Sequence, residues 1–353
     1  MHPLARLLVS GIVSAVLLGL GIASAAAQSA AQSAAQSPTL DAVKKRGRLV
    51  CGVNGALPGM SLHNALGEWE GLDVDLCRAV AAAVLGVSTK VDFVPLPADR
   101  RFDALRAGTV DLMARNTTVT LQRDAAQGVQ FAAVNYYDGQ AIVVPRDSTV
   151  SELADLRNGS ICLTRGSTHE LNLQNWFRVR RLSVRPLAFA DEGAMYDAFL
   201  AGDCVAVTQD ATALISTFVR RNKTAGVRML PDIISREPLG PYVRAGDTGW
   251  LDVVRWTHYA MLEAEELGLT QANVDQQRRE SHDMLVRNLL GQIRGNGRAL
   301  GLDETWAYNI VVQVGNYGES FERNLGARSP LGLRRGLNAL WRNGGQMYPL
   351  PVR

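Results

Sequence analysis

The chain has 353 residues, of which 37 are Lys or Arg and 34 are Asp or Glu, so its formal net charge at pH 7 is only +3. This balance lacks the basic excess of a nucleic-acid-binding protein, so no nucleic-acid partner is expected. The length exceeds what one hydrophobic core usually spans, which predicts two lobes or domains.

The first 39 residues predict an export signal and a leader. Residues 1–27 contain Arg6, an apolar run and small residues at Ala25 and Ala27, a pattern typical of a secretory signal peptide. An uncleaved membrane anchor is the alternative, although the apolar run is short for a bilayer. Residues 28–39 have little apolar content, so they predict a disordered leader.

From residue 40 onward, strand and helix patterns alternate. Strands are predicted at RLVCGVN, KVDFVPLP and VDLMAR, and helices at GLDVDLCRAVAAAVL and RFDALRAG. Because a helix separates successive strands, the crossover rule predicts a parallel sheet.

The same alternation restarts after AIVVPRDS. Helices are predicted at SELADLRNG, STHELNLQNWFRV and DEGAMYDAFLAG, and they alternate with strands at SICLTRG, VRPLAFA and CVAVTQD. Two copies of one pattern predict two similar α/β lobes. The remaining chain, with a helical tail from 250 to 290, is long enough to return and complete the first lobe.

Four cysteines in an exported chain indicate disulfides. Cys162 and Cys204 lie near the starts of strands in the second copy, while Cys51 and Cys77 flank the first strand and helix. We therefore favour Cys162–Cys204 and, by elimination, Cys51–Cys77 among the three possible connectivities. No CxxC pair, HExxH motif or GxSxG elbow is present, so neither a metal site nor a cofactor is expected.

Polar segments follow several predicted strands, at VNGALPG, ARNTTVT, TRGST and TQDAT. In open α/β sheets, ligands bind outside the carboxyl ends of the strands. If the lobes face each other, one cleft collects Asn54, Asn116, Thr118, Thr120, Arg123, Thr164, Ser167, Thr168 and Asp210. An arginine with hydroxyl donors suits a carboxylate and an aspartate suits an ammonium, so this set predicts a site for a zwitterion.

Simpler interpretations of these residues remain open. Arg123 is followed by Asp124, and the two can form a surface ion pair of little energetic weight. Asp210, Ser167 and Thr168 can cap the helices that follow them, a role compatible with ligand binding. Asp73 and Asp75 in GLDVDL are interpreted as N-terminal helix determinants rather than ligand-binding groups.

Four segments between residues 40 and 260 carry a family resemblance: GLDVDLCRAV, RNTTVTLQRD, RGSTHE and GDCVAVTQD. They resemble the polar amino-acid-binding proteins of bacterial ABC importers, a family with the type II periplasmic binding-protein fold of two similar α/β lobes. The later part of the chain resembles the general L-amino-acid (Aap/Bzt-type) branch of that family through EPLGP, WTHYAM, WAYNIVVQVGNYGE and GLNALW.

The resemblance implies a role for each candidate in ligand binding. Arg123 would pair with the ligand α-carboxylate, helped by Thr118 and the backbone around Asn116, with Thr168 donating from the second lobe and Asp210 binding the α-ammonium. Arg101 matches a position that contacts acidic ligands. Asn54 matches the side-chain selector, and its neutral amide, with Leu57 nearby, predicts broad specificity for polar, acidic and neutral L-amino acids. The predicted ligand-binding set is Asn54, Arg101, Asn116, Thr118, Arg123, Thr164, Thr168 and Asp210.

The resemblance also implies a non-catalytic, monomeric receptor in the periplasm that delivers free L-amino acids to an inner-membrane ABC permease. Lobe 1 is expected at 40–144 and 240–353, the latter including a C-terminal extension, and lobe 2 at 145–239. Hinge crossovers are expected near Pro145 and Glu237. The alternatives are a prephenate or arogenate dehydratase-like enzyme on the same fold, with Glu192 as general acid, and an interaction or sensory domain.

Overall fold

The computed structural model describes residues 37–353, so the predicted signal peptide lies outside the described residues. The first helix, Pro38–Arg46, follows Ser37, whose hydroxyl accepts a hydrogen bond from the backbone of Leu40 at 3.1 Å. The hydroxyl cap of Ser37 and a proline at the first helical position favour the start of a helix here. This helix packs on the rest of the protein, so Ser37 and Thr39 are buried. The prediction that the disordered leader extends to residue 39 is therefore wrong for residues 37–39.

Helices and strands alternate along the described chain. The helices are α1 (Pro38–Arg46), α2 (Leu72–Leu85), α3 (Arg101–Arg106), α4 (Leu121–Ala126), α5 (His169–Val179), α6 (Glu192–Ala201), α7 (Ala211–Arg220), α8 (Thr248–Glu266), α9 (Val274–Glu280), α10 (Met284–Leu289), α11 (Asn296–Ala299), α12 (Trp306–Gln313) and α13 (Tyr317–Asn324). The strands are β1 (Leu49–Val53), β2 (Ala56–Leu57), β3 (Ser61–His63), β4 (Trp69–Glu70), β5 (Val91–Pro95), β6 (Leu112–Met113), β7 (Val129–Phe131), β8 (Tyr136–Asp138), β9 (Gln140–Pro145), β10 (Ser160–Thr164), β11 (Arg185–Phe189), β12 (Ala206–Asp210), β13 (Val227–Met229), β14 (Glu237–Leu239) and β15 (Tyr242–Arg244).

The sheet of the first lobe has the strand order β5-β1-β6-β15-β7. Strands β5, β1 and β6 are parallel, as the helices between them predict. Strand β15 is antiparallel to both of its neighbours, because it enters this sheet only after the chain has passed through the second lobe. The prediction of a purely parallel sheet is therefore wrong for this strand.

The sheet of the second lobe repeats that arrangement, with the order β11-β10-β12-β9-β13. Here β9 is the antiparallel strand, paired with β12 and β13. Because β9 (Gln140–Pro145) lies in this second sheet, the chain leaves the first lobe before Gln140. The boundary expected at residues 144 and 145 is thus too late along the chain.

Two short strands connect the lobes. Strands β8 and β14 pair antiparallel, with Asp138 opposite Glu237 and Tyr136 opposite Leu239. The second crossing therefore begins at Glu237, where the sequence places a crossover. Backbone pairing between the two connections predicts that they bend together as one hinge.

The segment after β15 packs on the first lobe. One core contains Leu40 from α1, Val80 from α2, Trp306 from α12 and Val352 near the C-terminus. The carboxylate of Asp75 in α2 also accepts hydrogen bonds from Ser320 and Asn324 of α13, both at 2.7 Å. Asp75 therefore fastens the C-terminal extension to the first lobe, a role that helix-start statistics alone do not reveal.

Both predicted disulfides are confirmed. Cys51 is bonded to Cys77 with their Cα atoms 6.3 Å apart, which ties β1 to α2. Cys162 is bonded to Cys204 with a Cα separation of 5.7 Å, which ties β10 to the segment before β12. Within residues 37–353, no helix is both long and apolar enough to span a membrane.

Candidate binding cleft

A polar cleft lies between the lobes, at the carboxyl ends of β6, β10 and β12. In this arrangement of the lobes it leaves about 20 Å³ of free space. Seven of the eight predicted site residues line it, the exception being Asn54. The lining residues are Ala98, Arg101, Arg115, Asn116, Thr118, Arg123, Thr164, Ser167, Thr168, His169, Glu192, Gln209 and Asp210.

Arg123 lies in the first turns of α4, which begins after the capping hydroxyl of Thr120. Its Nη1 donates to the carbonyl of Thr118 at 2.9 Å and its Nη2 to the carbonyl of Gly166 in the opposite lobe at 3.3 Å. Burial lowers the pKa of Arg123 below its usual value. Since no ion pair joins Arg123 to a carboxylate within the described chain, its guanidinium is suited to bind a ligand anion.

Arg101, at the start of α3, is 3% exposed. Its Nη2 lies 3.5 Å from the carbonyl of Gly166, and its Nε has no hydrogen-bond partner among residues 37–353. Burial, together with the like charges of Arg123 and Arg115, lowers the pKa of Arg101 well below its usual range. A buried, unpaired cation of this kind is costly unless an anion accompanies it.

Arg115 was not among the predicted site residues. It lies two residues after β6, its Nε donates to the carbonyl of Leu96 at 2.7 Å, and its Nη2 lies 3.2 Å from Glu192 of the second lobe. Its position at the end of an apolar strand, immediately before Asn116, is the sequence signal that identifies it. Glu192 thus forms an ion pair across the cleft, rather than standing free as a general acid.

Asn116 has a positive φ of 32°. Its backbone N–H donates to Asp73 at 2.8 Å, and the other oxygen of Asp73 accepts from the side chain of Asn135 at 2.9 Å. Asp73 is 2% exposed and therefore positions the loop that carries the cleft residues. The interpretation of Asp73 as only a helix-start residue is incomplete.

Glu237 joins the predicted hydroxyl donors of both lobes. Its Oε2 accepts from Thr118 of lobe 1 at 2.5 Å and from Thr168 of lobe 2 at 2.8 Å, while its Oε1 accepts from Asn172 at 2.8 Å and from Ser235. The Thr168 hydroxyl does not cap α5. In this closed arrangement the protons of both threonine hydroxyls are directed at Glu237, so their backbone N–H groups are the donors left for a ligand.

Asp210 ends β12 and is 3% exposed. Its side chain does not cap α7, and its Oδ1 lies 3.0 Å from Nε2 of His169. Burial opposes the charged form of this imidazole, but the charge and hydrogen bond of Asp210 outweigh it, so the pKa of His169 is raised. Asp210 is the carboxylate of lobe 2 that faces Arg123 across the cleft, as a clamp for a zwitterion requires.

Thr164 and Ser167 are held by neighbours in the second lobe. The Thr164 hydroxyl accepts from Gln209 at 3.2 Å and points at the sulfur of Met195, 3.5 Å away. The Ser167 hydroxyl donates to the carbonyl of Thr164 at 2.6 Å. Both residues line the cleft and shape the loop before α5.

Asn54 does not contribute to the cleft wall. Its Nδ2 lies 3.2 Å from Glu192 and 3.4 Å from the side-chain oxygen of Asn116, so its amide links the two lobes at the cleft edge. Leu57 is 3% exposed and belongs to the core of lobe 1. Leu57 was predicted to lie near the ligand and to contribute to broad specificity. The structure contradicts this, because the side chain of Leu57 in β2 points into the core of lobe 1.

The chain matches the model of the bacterial extracellular solute-binding proteins, family 3, over residues 49–282. It belongs to this family. Its two-lobed α/β architecture confirms the predicted type II fold, and an ancestral arginine-binding protein bound to arginine shares that fold with 28% identity and a TM-score of 0.55, covering 63% of this chain and 94% of that one.

Other relatives match nearly the whole chain. The glutamate/glutamine/aspartate/asparagine-binding protein BztA of Rhodobacter capsulatus is 44% identical over 315 residues, covering 89% of this chain and 93% of its own length. The general L-amino acid-binding periplasmic protein AapJ of Rhizobium johnstonii is 45% identical over 316 residues, with shares of 89% and 93%. A periplasmic binding protein from Brucella ovis, solved with glutathione bound, has a TM-score of 0.87 and 45% identity, covering 90% of this chain and all of that one. Alignments of this length include the C-terminal extension as well as the two lobes.

Proposed function

We propose that the protein is a non-catalytic periplasmic receptor that captures free L-amino acids, acidic amino acids and their amides foremost, and delivers them to an ABC importer of the inner membrane. The observation that carries this proposal is the charge arrangement of the cleft. Arg123 of lobe 1 lacks a carboxylate partner within the described chain and faces Asp210 of lobe 2. Such a pair suits the α-carboxylate and α-ammonium of one amino acid.

The other residues that line the cleft indicate which class of ligand side chain it can bind. Apart from Ala98, the residues that line the cleft in the described chain are polar or charged. Arg101 supplies a buried guanidinium with an unpartnered Nε, which suits a carboxylate or an amide oxygen. Aliphatic side chains would leave this group buried and unpaired, so we expect them to bind more weakly.

The names of the relatives agree with this ligand class. BztA is named for glutamate, glutamine, aspartate and asparagine, and AapJ for general L-amino acids. The Brucella ovis protein was solved with glutathione, a peptide whose γ-glutamyl group has a free α-carboxylate and α-ammonium. The same clamp on this chain can hold that end of the molecule.

The size of the closed cleft separates these ligands. This arrangement of the lobes leaves about 20 Å³ of free space, roughly what one water molecule needs, so even a single amino acid enters only when the lobes move apart. Glutathione has about twice as many non-hydrogen atoms as glutamate. We therefore expect glutathione binding to require a wider separation of the lobes than glutamate binding.

The test is a thermal-shift screen of the mature protein against the common L-amino acids, D-glutamate and glutathione, followed by calorimetry of each ligand that stabilises it. We expect L-glutamate, L-glutamine, L-aspartate and L-asparagine to raise the melting temperature, and D-glutamate not to. No shift with any amino acid would overturn the proposal. Turnover of prephenate or arogenate would favour the enzyme alternative, for which the relatives reported above give no support.

A further inference from the structure

The part of the cleft wall nearest α3 contains three arginines and one glutamate. Arg101, Arg115 and Arg123 come from lobe 1, and Glu192 from the start of α6 in lobe 2. In the proposed function Arg123 takes the ligand α-carboxylate, so the charge that a ligand side chain meets depends on the other three. An unbalanced pair of guanidiniums would demand an anion there.

Glu192 removes one of those charges. Its Oε1 lies 3.2 Å from Nη2 of Arg115, and both side chains are largely buried, with 19% and 5% of their surfaces exposed. Asn54 holds the same carboxylate, with its Nδ2 at 3.2 Å and 3.4 Å from the two oxygens. Two side chains of lobe 1, Arg115 and Asn54, therefore hold the carboxylate of Glu192 in lobe 2.

Arg101 is left without such a partner. Its contact across the cleft is with the carbonyl of Gly166, and within residues 37–353 no carboxylate forms an ion pair with it. The wall that meets the ligand side chain thus carries one uncompensated positive charge instead of two. A single guanidinium can donate hydrogen bonds to a carboxylate or to an amide oxygen, whereas two would discriminate strongly against the neutral amide.

We propose that Glu192 is a specificity-determining residue, which neutralises Arg115 across the closed cleft and so lets acidic amino acids and their amides bind to the same site. This inference rests on the proposed function. This role is distinct from closing the lobes. Neutralising Arg115 changes the ratio of the affinities for L-glutamate and L-glutamine, whereas closure changes both affinities equally.

Two substitutions on opposite sides of the ion pair test the role. Glu192→Gln keeps the shape and an acceptor for Asn54 but leaves Arg115 charged, so it should raise the affinity ratio of L-glutamate to L-glutamine by about tenfold. Arg115→Gln leaves the carboxylate of Glu192 uncompensated and should shift the same ratio in the opposite direction. Glu192→Asp, which retains the charge, should keep the wild-type ratio.

A matched control lies on the same helix. Asp197 pairs with Arg221 on the surface, with 69% of its side chain exposed, so Asp197→Asn removes a similar ion pair outside the cleft and should leave the ratio unchanged. Both ligands are measured by calorimetry on each folded variant, so a general loss of stability or closure cancels in the ratio.

The possible results separate the two proposals. Opposite shifts in the Glu192→Gln and Arg115→Gln variants support the role of Glu192. A wild type that binds both ligands, with variants whose ratio stays constant or moves in one common direction, overturns it while leaving the proposed function intact. A wild type that binds neither glutamate nor glutamine overturns both.

Discussion

The hydroxyl of Thr118 and the carboxylate of Glu237 lie 2.5 Å apart, and this contact joins the first lobe to the second hinge strand. The same carboxylate oxygen accepts the Thr168 hydroxyl of the second lobe at 2.8 Å. Glu237 is 1% exposed, so its charge is compensated by hydrogen bonds that come from both lobes. The network forms only when Thr118 and Thr168 approach each other, as they do here at 3.5 Å.

Glu237→Gln should therefore weaken lobe closure. Each carboxylate oxygen accepts two donors, and the amide nitrogen of glutamine can accept none, so two buried donors would lose their partner at about 1–3 kcal/mol. We expect a smaller closed fraction, measured by fluorescence energy transfer between labels on the lobes, and weaker binding of L-glutamate. Ser235→Ala, which removes only one donor, is the milder control. Unchanged closure and affinity in the Glu237 variant would contradict the linking role.

The two ends of the zwitterion clamp should matter for every amino-acid ligand. Arg123→Ala and Asp210→Asn should each weaken binding of L-glutamate and L-glutamine by about 2–5 kcal/mol, because a buried ligand charge is left unpaired. Calorimetry of both ligands measures the loss. Arg106→Ala, which removes a surface arginine paired with Asp103, is the control and should bind normally. Wild-type affinity in either clamp variant would mean that the ligand ends lie elsewhere.

The stability of the unliganded protein should fall as pH rises from about 4 to about 7. Burial and the nearby charge of Asp210 raise the pKa of Asp138 from its ordinary value of 3.8 to about 7. A pKa raised by folding stabilises the protein below the unfolded value, and this contribution is lost as pH rises through the folded value. The raised pKa of His169, which faces Asp210, Glu237 and Glu192, acts with the same sign above pH 6.5.

Asp138→Asn tests the carboxyl part of that dependence. Asp138 should contribute a decrease of at most about 1.4 kcal/mol per pH unit to the free energy of unfolding of the wild type, measured by urea titrations over this range. The asparagine variant should show a clearly smaller slope, since its side chain does not titrate. Equal slopes in the two proteins would show that folding does not raise the pKa of Asp138.

Gly166 lies where the two lobes meet. It has a φ of +73°, and a Cβ built on it would lie 3.1 Å from the Cα of Asp99 in the opposite lobe. Gly166→Ala should cost about 1–2 kcal/mol in backbone strain in either conformation and should additionally hinder closure. We expect a lower melting temperature and a loss of ligand affinity larger than the strain alone explains. Gly202→Ala, at a φ of +88° with open space around it, provides the strain without the clash.

Local patterns explain which parts of the fold could be predicted. Helices α2 and α6 and strands β1 and β10 were predicted from local apolar segments bounded by turn residues. The Cys162–Cys204 disulfide was predicted from cysteines near strand starts, and Cys51–Cys77 by elimination. The antiparallel strands β9 and β15 could not be assigned this way, because each pairs with strands from a distant part of the sequence. Nothing in the pattern of AIVVP indicates which of the two sheets it joins.

The same distinction between local and distant contacts applies to the candidate site. Asp210 is visible in the sequence because it ends the apolar strand β12, and Arg123 because it belongs to the polar segment that follows β6. The partners of those residues are not visible, since Glu192 meets Arg115 and Glu237 meets Thr118 only when two separately folded lobes face each other. The selector role given to Asn54 stays a prediction, and its amide bonds to Glu192 in the closed cleft.

The packing of the C-terminal extension sets an order for folding. All strands of the second sheet come from one continuous stretch, residues 140–229, so this lobe can fold as soon as that stretch is available. The first lobe has to wait, because β15 completes its sheet and Val352 shares a core with Leu40. Until the last residues arrive, the apolar faces of β1 and α2 remain uncovered. A chain that stops early would therefore contain one finished lobe and one exposed, aggregation-prone half.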